Sequence, residues 1–379
     1  MSECMLDAGV ESALSALESR AFTTPAVLLF LGTGLGALPT RLAKSRALRL
    51  GDLPGVPGEW SGVTLHAGEW QGGPVWLIED APGSAEQGNQ IDGGRPAWVA
   101  GFPLWLAAAA GASLLVHTSA GAALRDAKDA PPAGSIALVR DHINFSGSSP
   151  LVGLTHSRLG PLFPDQTRLF PPQLLRLARQ EAARLSIPVH EAIAACVAGP
   201  ALETPAERRF WARAGAQVSV QGLAGVAHAC AHSGLLMLEM VAVTDAGEGV
   251  HDMAGMVQRA NELGPRIEDL LVALMPRLHA EAAQAGHAEC FGLGPQSGKP
   301  VRTHRARPPA RAHRAGDLQP HGGLRARACA PTRSLDARDR RGARTRSAGF
   351  QRAGLRRLRG QRCRAGGLRG LPAPARDPI

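Results

Sequence analysis

Across roughly the first 280 residues, short apolar runs alternate with helix-length amphipathic stretches, which restricts the chain to an α/β sheet covered by helices. Residues 26–31 read AVLLFL, and comparable runs occupy 113–117, 135–139, 192–197, 217–220 and 237–243. Each is too short for a buried helix and stops at glycine, small or polar residues, so each predicts a buried strand. Between them, apolar positions recur at helical spacing in 2–20, 98–110, 172–185, 204–214 and 224–232, and an amphipathic stretch at 253–278 closes the pattern.

The pattern stops near residue 285, where Arg, Ala, Gly and Pro take over. The formal net charge of +10 originates there: residues 1–300 carry 21 Lys+Arg against 28 Asp+Glu, and residues 301–379 carry 21 Arg against 4 Asp. The sequence therefore divides into a globular domain at 1–285 and a tail at 286–379. The tail has too few apolar residues to offset its ordering entropy, and Phe291 and Phe350 are its two aromatic residues. A nucleic-acid partner is expected only through this arm, if at all. The six cysteines contain no CxxC pair, so neither a disulfide framework nor a zinc site is indicated. No basic leader with an apolar core and no run long enough to span a bilayer is evident, and a cytoplasmic protein without a metal or organic cofactor is expected.

Several strand ends carry residues suited to binding. Gly32-Thr33-Gly34-Leu35-Gly36 follows an apolar strand and offers N–H groups and a hydroxyl to an anion, although its spacing is not that of a dinucleotide fold. Thr118-Ser119-Ala120-Gly121-Ala122 reads as a small-residue strand end, open to a ligand or merely crowded. In AGPALETPAERR, residues 198–209, Thr204 and Pro205 are accounted for as a helix cap and first turn, but Glu203 is not. Asp245 stands where another apolar run stops, and His251 follows closely.

In combination, GTGLG, VPG at 56–58, GSIALVRDHINF at 134–145, AGPALETPAERR and the TD…H of 244–251 resemble the trimeric purine nucleoside phosphorylases, in the same order. The resemblance runs from about residue 14 to 278. It implies a nucleoside phosphorylase-type fold with a central mixed β-sheet flanked by helices, a homotrimer with active sites near subunit borders, and cleavage of purine nucleosides by inorganic phosphate as co-substrate. By resemblance, Glu203 and Asp245 bind the purine, with Asp245 near N7. His251 and Gln221 hold the ribose, Thr33 and the backbone of Ala120 hold phosphate, and Leu159 falls where a phenylalanine closes the neighbouring subunit's pocket. Asp245 would donate to N7 only if protonated, which burial favours. Its presence instead of the usual asparagine resembles methylthioadenosine phosphorylases and tilts the expectation toward 6-aminopurines.

The resemblance breaks at the phosphate site. The family's histidine after VPG aligns with Glu59, an arginine and second histidine with Gly88 or Asn89 and Gln90, and a later serine with Gly222. Phosphate would then rely on Thr33, backbone amides and a substitute cation such as Arg95. Two alternatives stand beside phosphorolysis: a nucleosidase in which Glu59 activates water, and a purine-binding protein without catalysis.

Overall fold

The structure, a computed structural model, describes residues 4–32, 35, 38–79, 96–247 and 249–288. Among these residues the nine strands are β1 (Val27–Leu31), β2 (Ala43–Arg49), β3 (Thr64–Trp70), β4 (Gly73–Glu79), β5 (Leu114–Ala123), β6 (Ile136–Asn144), β7 (Val189–Val197), β8 (Val218–Gln221) and β9 (Leu236–Asp245). They form one mixed sheet in the order β2-β3-β4-β1-β5-β8-β7-β6-β9, and β9 also pairs with β5. The last five strands thus close on themselves as a small barrel, from which the other four extend as an open sheet.

Alternation along the strands sends residues to two cores. In β1, Leu28 and Phe30 enter one and Val27, Leu29 and Leu31 the other; in β9, Met237, Val241 and Val243 oppose Leu238, Met240 and Ala242. The first core is covered by α1 (Met5–Ser19), α2 (Phe102–Ala109) and α5 (Leu223–Ser233). The second lies under α3 (Pro172–Arg184) and α6 (Met253–Ala288). Residues Leu263, Ile267, Leu270, Leu274 and Leu278 of α6 recur at three- and four-residue spacing and supply its buried stripe. The remaining helix, α4 (Pro205–Arg213), adds Trp211 to a third cluster with Leu124 and Val197.

All six expected strands are present, and three are added. β2 was overlooked because nearly every residue in it is exposed, which removes the apolar alternation; β3 alternates, but His66, Gly68 and Glu69 break its apolar character. The expected strand end at 118–122 is instead the continuation of β5, which stays in register with β9 to Gly121↔Val243, shifts by one residue so that Ala122 faces Asp245, and pairs with β8 at Gly121↔Val220. Gly32, which opens the GTGLG segment, packs directly on it. Gly32 N–H lies 3.0 Å from both the carbonyl and the hydroxyl oxygen of Thr118, and a Cβ at Gly32 would stand 2.6 Å from that carbonyl, so only glycine fits. The final helix also exceeds the expected end at 278, reaching Ala288.

Candidate active site

The site is built where β5, β7, β8 and β9 meet. Gln221 at the end of β8 pairs with Val197 at the end of β7, and Asp245 at the end of β9 pairs with Ala122 of β5. Between β7 and α4 the chain runs through the AGPALET segment, and α4 then starts on a capping box. The Thr204 hydroxyl accepts from Glu207 N–H at 3.3 Å, while Glu207 Oε2 accepts from Thr204 N–H at 2.8 Å. That cap fixes the first turn of α4 and with it the direction of Arg208. Thr204→Ala is expected to cost about 1 kcal/mol of stability, measured by urea unfolding.

Three residues singled out by sequence come together around Arg208, which is 6% exposed. Its Nη2 donates to Asp245 Oδ2 at 3.0 Å, and its Nε stands 3.3 Å from Glu203 Oε1 as an ion pair. Nη2 also lies 2.8 Å from His251 Nδ1. His251 in turn places Nδ1 2.6 Å from Asp245 Oδ2 and Nε2 3.0 Å from the Glu203 carbonyl oxygen. Gly247 N–H donates to Asp245 Oδ1 at 2.9 Å, and the Ser219 hydroxyl donates to Glu203 Oε1 at 3.0 Å. Asp245 therefore has both carboxylate oxygens occupied.

This arrangement opposes the protonation that Asp245 would need in order to donate to N7. Burial acts to raise its pKa, but the Gly247 N–H, the His251 hydrogen bond and the Arg208 charge outweigh it and hold the carboxyl below its ordinary value. Its paired form contributes stability above the unfolded-state pKa, lost only as pH falls through the lowered folded value. Around neutrality Asp245 is therefore an acceptor and not a donor.

The other expected site residues are distributed as follows. Gln221 Nε2 donates to the Ala201 carbonyl at 3.2 Å, so its side chain lies against the segment that carries Glu203. Ala120 is exposed on β5 opposite Ala242, and Gly222 begins α5 with φ +78°. Glu59, in the 3₁₀ turn Gly58–Trp60, lines a groove with Met5, Gly9, Gly55, Pro96 and Val99; no member of the Arg208 cluster lines it. Leu159 is half-buried against the first core, behind Ser157 and Arg158, which donate to the Asp7 carboxylate at 2.7 Å each. Thr33, Gln90 and Arg95, with the alternatives Gly88 and Asn89, lie outside the described residues.

Sequence reasoning missed Arg208 and Ser219. The signal for Arg208 was its place in the first turn after the Thr204 cap, five residues beyond a carboxylate of unexplained role; Ser219, inside a short apolar strand, gave none. A second buried network was also missed. Glu239 of β9, fully buried, accepts from the Ser119 hydroxyl at 2.6 Å and lies 2.5 Å from His117 Nδ1, both of β5. The nearby Cys196 and Cys230 thiols have raised pKa values, through burial first and the Glu239 charge second, which makes them poor nucleophiles. Among the described residues, no group of three or more His, Cys, Asp or Glu is placed to hold a metal, and no helix is long and apolar enough to cross a membrane.

The protein is thus an α/β fold whose mixed sheet closes in part as a small barrel, with a carboxylate–guanidinium–imidazole cluster at the ends of its strands. The chain belongs to the phosphorylase superfamily, whose family model matches residues 32–276. It is similar to purine nucleoside phosphorylase 1 of Bacillus subtilis, 29% identical over 244 residues, covering 64% of this chain and 87% of that protein. It is also similar to the Bos taurus purine nucleoside phosphorylase, 26% identical over 271 residues, covering 69% and 91%. The fold matches a Schistosoma purine nucleoside phosphorylase solved with hypoxanthine, at a TM-score of 0.64 and 19% identity over 72% of this chain and 98% of that one.

Proposed function

We propose that the protein is a purine nucleoside phosphorylase, which cleaves the N-glycosidic bond with inorganic phosphate to give free base and ribose 1-phosphate. The observation that carries this is the convergence of Glu203, Asp245 and His251 within one hydrogen-bonded cluster, in a chain of this superfamily. Glu203 binds the purine, His251 and Gln221 hold the ribose, and Thr33 with the Ala120 backbone binds phosphate, with Arg95 as its cation. Breaking the bond places positive charge on the ribosyl carbon and negative charge on the purine, so phosphate below the sugar and donors at the base lower the barrier. The working unit is a homotrimer in the cytoplasm, with Leu159 at the neighbouring subunit's pocket. Hypoxanthine release from inosine is expected to rise and saturate with phosphate; release that ignores phosphate would defeat the proposal.

Residues 286–379 lie outside the working domain in this reading. A chain ending at residue 288, which keeps all of α6, is expected to fold and assemble like the full chain. Size-exclusion chromatography with light scattering checks this, and loss of assembly in the shorter chain alone would place the tail inside the functional unit.

A further inference from the structure

We propose that Ser119 makes the anion site selective for hydrogen phosphate over sulfate: its hydroxyl oxygen is held as an acceptor and receives the P–OH proton that sulfate lacks. This rests on the reading of the strand end beside Gly32 as the phosphate site.

Ser119 follows Thr118 on β5, and Thr118 pairs with Leu31, the last residue of β1. The carbonyl and hydroxyl oxygens of Thr118 both receive Gly32 N–H, and a Cβ on Gly32 would lie 3.5 Å from Ser119 Cα. Ser119 thus sits against the start of the GTGLG segment. Two residues further along the same face of β5, a Cβ on Gly121 would lie 2.5 Å from the Ser219 carbonyl oxygen, and the Ser219 hydroxyl is bound to Glu203. This is ground just beyond the carboxyl end of a parallel strand, where α/β sheets take their ligands. Ser119 is half-buried and Ala120 exposed, so β5 reaches the surface here.

A serine hydroxyl has a single proton, and that of Ser119 is directed inward. Oγ donates to Glu239 Oε1 at 2.6 Å, and Glu239, which has no exposed surface, places its other oxygen 2.5 Å from His117 Nδ1. Turning the proton outward would leave a buried carboxyl oxygen without its donor, a loss that outweighs a hydrogen bond made at the surface. What Oγ offers a ligand is lone-pair density. In this state it accepts and does not donate.

That state sorts anions of equal charge and similar shape. At mildly alkaline pH phosphate and sulfate are both tetrahedral dianions, but only phosphate keeps a proton to donate. Sulfate would set an oxygen lone pair against Ser119 Oγ, and the contact would repel. Arsenate keeps a proton as phosphate does, so it serves as the second accepted anion.

The test is calorimetric binding of inorganic phosphate, arsenate and sulfate to the full chain, as wild type and Ser119→Ala, at mildly alkaline pH. Wild type is expected to hold phosphate and arsenate at least about tenfold more tightly than sulfate, the effect of making one hydrogen bond against opposing two acceptors. Ser119→Ala should weaken phosphate and arsenate without weakening sulfate, and bring the three affinities to within about twofold of one another. The readout is a ratio within one protein, so a variant that is only partly folded does not distort it. Wild type that holds sulfate as tightly as phosphate overturns the proposal without need of the variant. A ratio that Ser119→Ala leaves unchanged overturns it too, while the phosphate site itself stands. If wild type binds none of the three anions, the reading of this strand end as a phosphate site has failed, and the selectivity fails with it.

Discussion

Glu239→Ala is expected to lower the unfolding free energy by about 2–6 kcal/mol, the cost of leaving two buried hydrogen-bonding groups without their acceptor. Glu239 has no exposed surface, and it is the acceptor for both the Ser119 hydroxyl and the His117 ring. Alanine leaves these two groups without their acceptor in a core where water does not replace it, and each such loss costs about 1–3 kcal/mol. The effect is focused on the barrel closure, since His117 and Glu239 are directly paired in the β5–β9 register. His117 is further fixed by stacking on Phe30, with ring centroids 5.4 Å apart. Glu239→Gln keeps an acceptor and should lose less. Urea denaturation of both variants checks the order, and a loss below about 1 kcal/mol for Glu239→Ala would mean that the network is not a structural bond.

Glu203→Ala is expected to reduce kcat/KM for inosine by at least about 10²-fold, because a site that binds a substrate N–H through a buried acceptor discriminates strongly against losing it. The same change removes one of the two carboxylates that face Arg208 and takes the acceptor from Ser219. The guanidinium remains paired with Asp245, so the fold should survive while the base loses its N1–H partner. Circular dichroism separates the two consequences. A folded variant with kcat/KM within about threefold of wild type would remove Glu203 from base recognition.

How much of this could be read from the residues depended on whether the signal was local. The strands β1, β5, β6, β7, β8 and β9 are buried and announce themselves as apolar runs; β2 is an exposed edge strand, and only its pairing with β3 makes it a strand. Glu203, Asp245 and His251 each stand at or just beyond a strand end, and the fold brings them within hydrogen-bond distance. The state of Asp245 was not legible, because burial and partners push its pKa in opposite directions and the partners lie 37 residues away at Arg208 and 2 residues away at Gly247. Glu239 likewise stands inside an apolar run, and its partners His117 and Ser119 come to it only through the pairing of β9 with β5.

The central claim, phosphorolysis of a purine nucleoside, is tested most directly by following phosphorus. Phosphorus NMR of the full chain with inosine and inorganic phosphate should show phosphate converted to ribose 1-phosphate in equal amount to the hypoxanthine released. Hypoxanthine appearing while the phosphate signal stays unchanged, or no hypoxanthine at all, would contradict the account.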